Sequence, residues 1–83
     1  MTKKEILNYI ENEINYFDTR IRELDDHTDY TTGMLNWLEW LKAEIEKDKN
    51  LDWVLKLNPM NENTGTEQEI IYTLQEYVKS NKQ

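Results

Sequence analysis

Residues 3–24 read KKEILNYIENEINYFDTRIREL, and this stretch decides the fold class. Its large apolar residues recur at steps of three and four, which is the spacing of one face of an α-helix. Thr2 and Glu5 form a T-x-x-E capping box, a pattern that begins helices. We therefore predict a helix over residues 3–24, with a stripe composed of Ile6, Ile10, Ile14, Phe17, Ile21 and Leu24.

A second helix is predicted over residues 29–48, after a polar turn that supplies capping side chains. Its apolar stripe is formed by Tyr30, Met34, Leu38, Leu41 and Ile45. Gly33 then falls inside the first turns, where glycine costs about 1 kcal/mol relative to alanine. Either Gly33 lets a neighbouring backbone approach closely, which we favour, or the helix begins later with Thr32 as its cap.

The remaining sequence predicts two shorter elements. Residues 51–57 read LDWVLKL and alternate as a strand would, but a lone strand has no partner here, so we favour a short helix. Pro59 closes this segment. Two T-x-x-E patterns, Thr64/Glu67 and Thr66/Glu69, announce a last helix over residues 66–80.

These elements predict one all-α domain spanning residues 1–83. Two long helices joined by a short polar turn form an antiparallel hairpin. With the short third segment and the C-terminal helix, the hairpin would complete a three- to four-helix bundle. The 83 residues suffice for one modest core.

Composition excludes several classes of function. The chain has 17 acidic and 10 basic residues, a net charge of −7, and no cysteine. Disulfides and zinc–thiolate sites are therefore excluded, and direct binding to nucleic acid or to a membrane surface is disfavoured. A basic protein partner is compatible with this charge. Because neither a signal peptide nor a membrane-spanning run is evident, we expect a cytoplasmic location.

The residues that catalysis or metal binding would need are missing. His27 is the only histidine and lies among aspartates in the polar turn, where a solvated turn is commoner than a divalent-cation site. Residues 48–52 imitate the start of a calcium loop, but Trp53 occupies the glycine position and Pro59 the glutamate position. Ser80 is the only serine. We expect no enzyme, no cofactor and no metal.

Aromatic residues flank both stripes on the same side of the predicted hairpin. Tyr9 and Tyr16 lie about 100–120° from the first stripe, and Trp37 and Trp40 lie beside the second at 100° per residue. Tyr16 should approach Trp37. Either the last helix and the Trp53 segment cover this face, or part of it remains exposed as a binding patch, with Trp40 exposed first. The predicted partner-binding residues are Trp40, Trp53, Tyr9, Tyr16, Glu39, Glu44, Glu11 and Asp18.

Residues 30–41, YTTGMLNWLEWL, follow the pattern Y-x-x-G-x-x-x-x-L-E-W-x. In this pattern the chain resembles small phage-encoded acidic helical-hairpin proteins. The resemblance implies a hairpin with close approach at Gly33 and an origin on a mobile element. It implies no specific activity.

Three functions are compatible with these observations. The leading hypothesis is a non-catalytic protein that inhibits a host nuclease or defence complex by occupying its basic, nucleic-acid-binding surface. The alternative is a homo-oligomeric structural or regulatory subunit, such as a homodimer, that buries the aromatic face between copies. The third is a small nucleotide-binding sponge in which a tryptophan stacks on the base.

Overall fold

Three α-helices and one 3₁₀ helix make up the computed structural model, which describes residues 2–58 and 65–81. In chain order they are α1 (Lys3–Leu24), α2 (Asp29–Lys47), the 3₁₀ helix (Asp52–Lys56) and α3 (Gly65–Ser80). The described residues contain no β-strand, so the predicted all-α fold class is confirmed. Pro59 and Thr64, which carried a predicted boundary and a predicted cap, lie outside the described residues.

The beginning of α1 is formed by the predicted capping box. The Thr2 hydroxyl accepts the Glu5 backbone N–H at 3.1 Å, and the Glu5 carboxylate accepts the Thr2 backbone N–H at 3.1 Å. Two of the backbone donors that a helix start leaves without partners are thereby satisfied.

The two ends of the predicted stripes nearest the turn are not buried. Leu24 is 68% exposed and Tyr30 is 41% exposed, although both were placed in the apolar stripes. Leu24 is the last residue of α1 and Tyr30 the second of α2. The chain reverses between them, so both lie at the end of the interface between the two helices, where the Tyr30 ring still packs edge-on against Phe17 at 5.9 Å.

A network around Asp26 holds this turn. Arg20 lies 2.7 Å from one carboxylate oxygen of Asp26, and the hydroxyls of Thr28 and Thr31 donate to the carboxylate at 2.8 and 2.9 Å. Donation from Arg20, and then from the two threonines, holds the pKa of Asp26 far below its usual range. The preceding residue, Asp25, adopts the left-handed conformation (φ 54°) that ends many helices. The end of α1 is thus tied to the first turn of α2.

Contacts at the other end of the hairpin confirm that α1 and α2 run antiparallel. The Lys3 ammonium donates to the carbonyl oxygens of Glu46 and Asp48 at 3.3 and 3.5 Å. Glu11 of α1 forms an ion pair of 2.7 Å with Lys42 of α2. The start of α1 therefore lies beside the end of α2.

Residues 51–57 contain a 3₁₀ helix that packs on α3. The Gln75 side-chain amide of α3 donates to the carbonyl oxygens of Val54 and Leu57 at 3.2 and 3.1 Å. A 3₁₀ helix has three residues per turn, which directs Leu51, Val54 and Leu57 to one side. Val54 is fully buried. The preference for a helix over a strand in this segment is confirmed.

The start of α3 removes one of the two predicted caps. Because α3 begins at Gly65, Thr66 already lies within its first turn and cannot cap it.

All four elements contribute to a single core. Its buried members are Ile6, Ile10, Phe17, Met34, Leu38, Leu41, Ile45, Val54, Ile70, Leu74, Tyr77 and Val78.

Gly33 does not have the close neighbour that the sequence suggested. The helix begins at Asp29 with Thr28 as its cap, so the alternative start at Thr32 is wrong. No atom outside its own stretch of α2 lies within 4 Å of the position that a Cβ on Gly33 would take. The expected close approach within this chain is therefore wrong as well, because Gly33 faces open space.

Gly33→Ala should stabilise the protein. The alanine methyl group meets no neighbour and lowers the backbone entropy of the unfolded chain, so the free energy of unfolding should rise by about 1 kcal/mol. Urea denaturation followed by circular dichroism measures this. The matched control is Ala43→Gly, at another exposed position of α2, which should lose a similar amount. A loss of stability on Gly33→Ala would contradict the open environment of Gly33.

Candidate protein-binding face

Trp40 and Trp53 form a tryptophan pair where α2 meets the 3₁₀ helix. Their ring centroids lie 5.6 Å apart at an interplanar angle of 62°, an edge-to-face contact. Trp40 remains 48% exposed, whereas Trp53 is partly buried against the core. The Trp40 indole is therefore exposed to solvent on one side and packs against the Trp53 indole on the other.

Trp53 is the fixed member of this pair. Its indole nitrogen is buried and has no hydrogen-bond partner among the described residues. Burial of its large ring against the core holds Trp53 in place. Trp53 thus acts as a support, and Trp40 is the indole available for contact.

Tyr9 is covered by α3. Its ring is partly buried, and its hydroxyl lies beside Thr73 of α3. Burial chiefly raises the pKa of Tyr9, and the negative charges of Glu13 and Glu69 raise it further. Tyr9 therefore belongs to the α1–α3 boundary and not to an open face.

The same boundary brings two carboxylates near each other. Glu13 of α1 is partly buried, and Glu69 of α3 lies close enough to act on it electrostatically. Burial, followed by the charge of Glu69, raises the pKa of Glu13. The ionised form of Glu13 therefore opposes the docking of α3.

Tyr16 is exposed, and its side chain contacts neighbouring residues of its own helix, α1. It is 53% exposed, its ring packs edge-on against Phe17 at 5.0 Å, and its hydroxyl accepts a hydrogen bond from Arg20 at 3.1 Å. Trp37, which the sequence suggested as its neighbour, is partly buried against the core. The four flanking aromatics thus divide into two covered residues, Tyr9 and Trp37, and two exposed ones, Tyr16 and Trp40.

Three of the four acidic candidates are paired with cations of this chain. Glu11 pairs with Lys42 at 2.7 Å, Glu44 with Lys47 at 3.0 Å, and Asp18 with Arg22 at 2.9 Å. Glu39 is exposed and has no ion-pair partner in the described part of the chain. Glu39 is therefore the acidic candidate whose charge is least neutralised, and it adjoins Trp40 in sequence.

Tyr72 is an exposed aromatic residue that sequence reasoning missed. It lies on α3 and is 61% exposed. A signal was available, because Tyr72 falls outside the apolar face formed by Ile70, Ile71, Leu74, Tyr77 and Val78. Tyr72 provides a control position for experiments on Trp40.

The polar turn shows no arrangement suited to a metal ion. His27 Nε2 lies 2.8 Å from Asp25, and both side chains are exposed, while Asp26 is occupied by Arg20 and the threonines. Over residues 2–58 and 65–81, no three His, Asp or Glu side chains are placed to hold a metal ion. None of the helices in these ranges combines the length and apolar character needed to cross a membrane.

Trp37→Ala and Trp40→Ala should affect stability differently. Trp37 packs against the core, so its truncation should lower the free energy of unfolding by about 3 kcal/mol. Trp40 is half exposed, so its truncation should cost less than that of Trp37, about 1–2 kcal/mol, most of it from the lost contact with Trp53. Urea denaturation of both variants tests this. Equal losses would mean that Trp40 is as much a core residue as Trp37.

Glu13→Gln should stabilise the protein at neutral pH. Because the pKa of Glu13 is raised in the folded state, the folded protein binds this proton more tightly than the unfolded chain does. Ionisation therefore lowers stability as the pH rises through the folded pKa. The variant should have the higher Tm at pH 7, and its advantage should shrink as the pH falls through that pKa. Exposed Glu23→Gln, which removes the same charge, should change Tm little at either pH.

Comparison with known proteins found no relative with which the surface around Trp40 and Trp53 could be compared. No protein-family model, no curated protein and no solved structure matches the chain.

Proposed function

We propose that this chain is a non-catalytic binding protein that occupies a surface of another protein through the tryptophan pair. The observation that carries the proposal is the 48% exposure of Trp40 in the middle of α2, with its ring supported by Trp53. Tryptophans near the centre of an interface often supply much of its binding energy. A half-exposed indole held by a second one is already oriented for such a contact, which reduces the entropy lost on binding.

The charge of the chain favours a basic partner. The net charge is −7, and Glu39 beside Trp40 keeps its charge unpaired within the described residues. Complementary charge chiefly accelerates association and selects the partner, while the buried anchor slows dissociation. We propose that Trp40 provides affinity and that the acidic residues provide selectivity.

The nucleic-acid-binding groove of a nuclease or of a defence complex is a basic protein surface, and we propose that the chain binds there. Occupying that groove would block nucleic acid, so the proposal makes the chain an inhibitor acting in the cytoplasm of a bacterial host. The resemblance of residues 30–41 to phage-encoded hairpin proteins supports this setting. Because Glu11, Glu44 and Asp18 form ion pairs within the chain, the density of negative charge on its surface is too low to mimic DNA fully.

Trp40→Ala should abolish capture of the partner. Tagged wild-type protein, the Trp40→Ala variant and the Tyr72→Ala variant are used as baits in a bacterial lysate, and the eluates are compared by quantitative mass spectrometry. A partner that uses the tryptophan pair should fall at least tenfold with Trp40→Ala, the usual cost of losing a hot spot. Tyr72→Ala removes an aromatic side chain of α3 that is more exposed than Trp40, and it should leave capture unchanged.

The inhibitor form of the proposal has a separate test. The purified partner should lose nucleic-acid binding as one equivalent of the acidic chain is added, and raising the salt concentration should weaken their complex. If the partner binds in a Trp40-dependent manner but keeps its nucleic acid, the inhibitor hypothesis is contradicted, while the proposal that the chain is a binding protein still stands. Equal capture by all three baits would contradict the binding role itself.

A further inference from the structure

Helix α3 is shorter than the hairpin that it covers, and its contacts with α1 show how far the cover reaches. Thr73 of α3 lies beside Tyr9 of α1. One turn earlier in α3, Glu69 acts electrostatically on Glu13, which lies one turn later in α1. The two helices therefore run antiparallel, and α3 begins only one turn before Glu69. That start lies at the level of Phe17, so α1 continues about 10 Å beyond it.

The apolar stripes lose their cover in this last part of the hairpin. Ile10, at the covered end of α1, is fully buried, whereas Ile21 is partly exposed and Leu24 is 68% exposed. Tyr30 of α2 is 41% exposed, although its ring packs edge-on against Phe17. We call the surface formed by Ile21, Leu24 and Tyr30 the hairpin tip. Exposed apolar side chains that lie together inside a polar rim are typical of interaction surfaces.

The carboxylates around the hairpin tip outnumber the cations. Residues 18–29 contain five acidic side chains and two arginines. Both arginines are engaged, because Arg20 lies 2.7 Å from Asp26 and Arg22 lies 2.9 Å from Asp18. Three exposed carboxylates therefore have no lysine or arginine partner among the described residues: Glu23, Asp25 and Asp29. Asp25 does contact the ring of His27, but an imidazole carries little positive charge at neutral pH.

These three carboxylates flank the apolar side chains of the hairpin tip. Glu23 and Asp25 precede and follow Leu24 in the sequence, and Asp29 precedes Tyr30. Nucleic acids, anionic lipid surfaces and a second copy of this chain all carry net negative charge, so the rim repels them. A basic protein is the partner that this rim attracts.

We propose that the hairpin tip is a docking surface for a basic segment of another protein, in which lysines or arginines flank an apolar side chain. The apolar side chain packs against Leu24 and Tyr30, and the flanking cations lie near Glu23, Asp25 and Asp29. The apolar contact is small and the ion pairs are exposed to solvent, so the complex is weak and becomes weaker as the salt concentration rises.

This inference goes beyond the proposed function and does not rest on it. Tyr30 and Trp40 lie about 15 Å apart along the axis of α2, so the hairpin tip and the tryptophan pair are separate surfaces. The capture experiment on Trp40 can fail while the hairpin tip binds a basic segment, and the hairpin tip can fail to bind while capture through Trp40 succeeds.

A synthetic peptide in which pairs of lysines alternate with pairs of leucines tests the hairpin tip directly. The peptide is titrated into the isotope-labelled chain up to about 1 mM, and the amide chemical shifts are followed by NMR. The amides of residues 21–30 should shift most. A peptide with serine in place of leucine, and one with glutamate in place of lysine, should each bind at least tenfold more weakly. No binding at about 1 mM, shifts that are largest around Trp40, or equal affinities for the three peptides would overturn the proposal.

Leu24→Ser should weaken binding of the leucine–lysine peptide at least threefold, because it removes the apolar contact at the hairpin tip. Its side chain is largely exposed, so the variant should keep its fold, which circular dichroism checks. Tyr72→Ser is the matched control: it removes a similarly exposed apolar side chain from α3 and should leave the Kd unchanged. Equal effects of the two variants would contradict docking at the hairpin tip.

Removing two charges from the rim tests the electrostatic part of the proposal. Glu23→Gln combined with Asp25→Asn should raise the Kd severalfold at low salt. Asparagine tolerates the left-handed backbone of Asp25 (φ 54°), so this pair should preserve the end of α1. Glu39→Gln combined with Glu76→Gln removes the same charge from exposed positions elsewhere and should change the Kd little. If both pairs weaken binding equally, only the net charge matters and the proposed rim is wrong.

Discussion

The contact between the apolar stripes of α1 and α2 is the interaction on which the other elements depend. Ile10 and Phe17 of α1 and Leu38 and Leu41 of α2 are at most 1% exposed. A hairpin of two helices buries only the strip along its seam, which is too little to offset the entropy of ordering the chain. The hairpin therefore needs a cover, and α3 with the 3₁₀ helix provides it through Val54, Ile70 and Leu74.

The Asp26 network sets how the two stripes meet. Arg20 belongs to the last turns of α1, and Thr31, which is fully buried, belongs to the first turn of α2. A carboxylate with a strongly lowered pKa remains charged throughout the neutral range, so this link is maintained there. The Glu13–Glu69 boundary has the opposite character, because it keeps two like charges close where α3 meets α1. The turn between α1 and α2 is thus stabilised by the Asp26 network, whereas the contact between α1 and α3 is weakened by the repulsion between Glu13 and Glu69.

The incomplete cover creates the surface that we propose for binding. The 3₁₀ helix is five residues long and supplies one large ring, Trp53, which supports Trp40 without enclosing it. Trp40 is thereby left 48% exposed, and it is the indole through which we propose that a partner protein binds.

The local elements could be predicted from the sequence because their causes are local. The stripe of residues 3–24, the Thr2/Glu5 capping box and the polar turn each act within a few residues, and α1 begins and ends as predicted. The segment at residues 51–57 could only be favoured as a helix. Its alternation of large side chains suited a strand, and the donor that holds it, Gln75, is about twenty residues away in the chain.

The candidate site depended on contacts between distant segments. Tyr9 and Tyr16 occupy the same flank of α1 in the sequence pattern, but α3 covers only Tyr9. Glu11 was a free acid in the sequence and is paired with Lys42 in the structure, and the expected neighbour of Gly33 is absent. The sequence by itself determined which residues form helices and which faces are apolar, because periodicity and capping act over one or two turns. Only the tertiary structure decided which aromatic and acidic side chains remain available, because that depends on where α3 and the 3₁₀ helix come to rest.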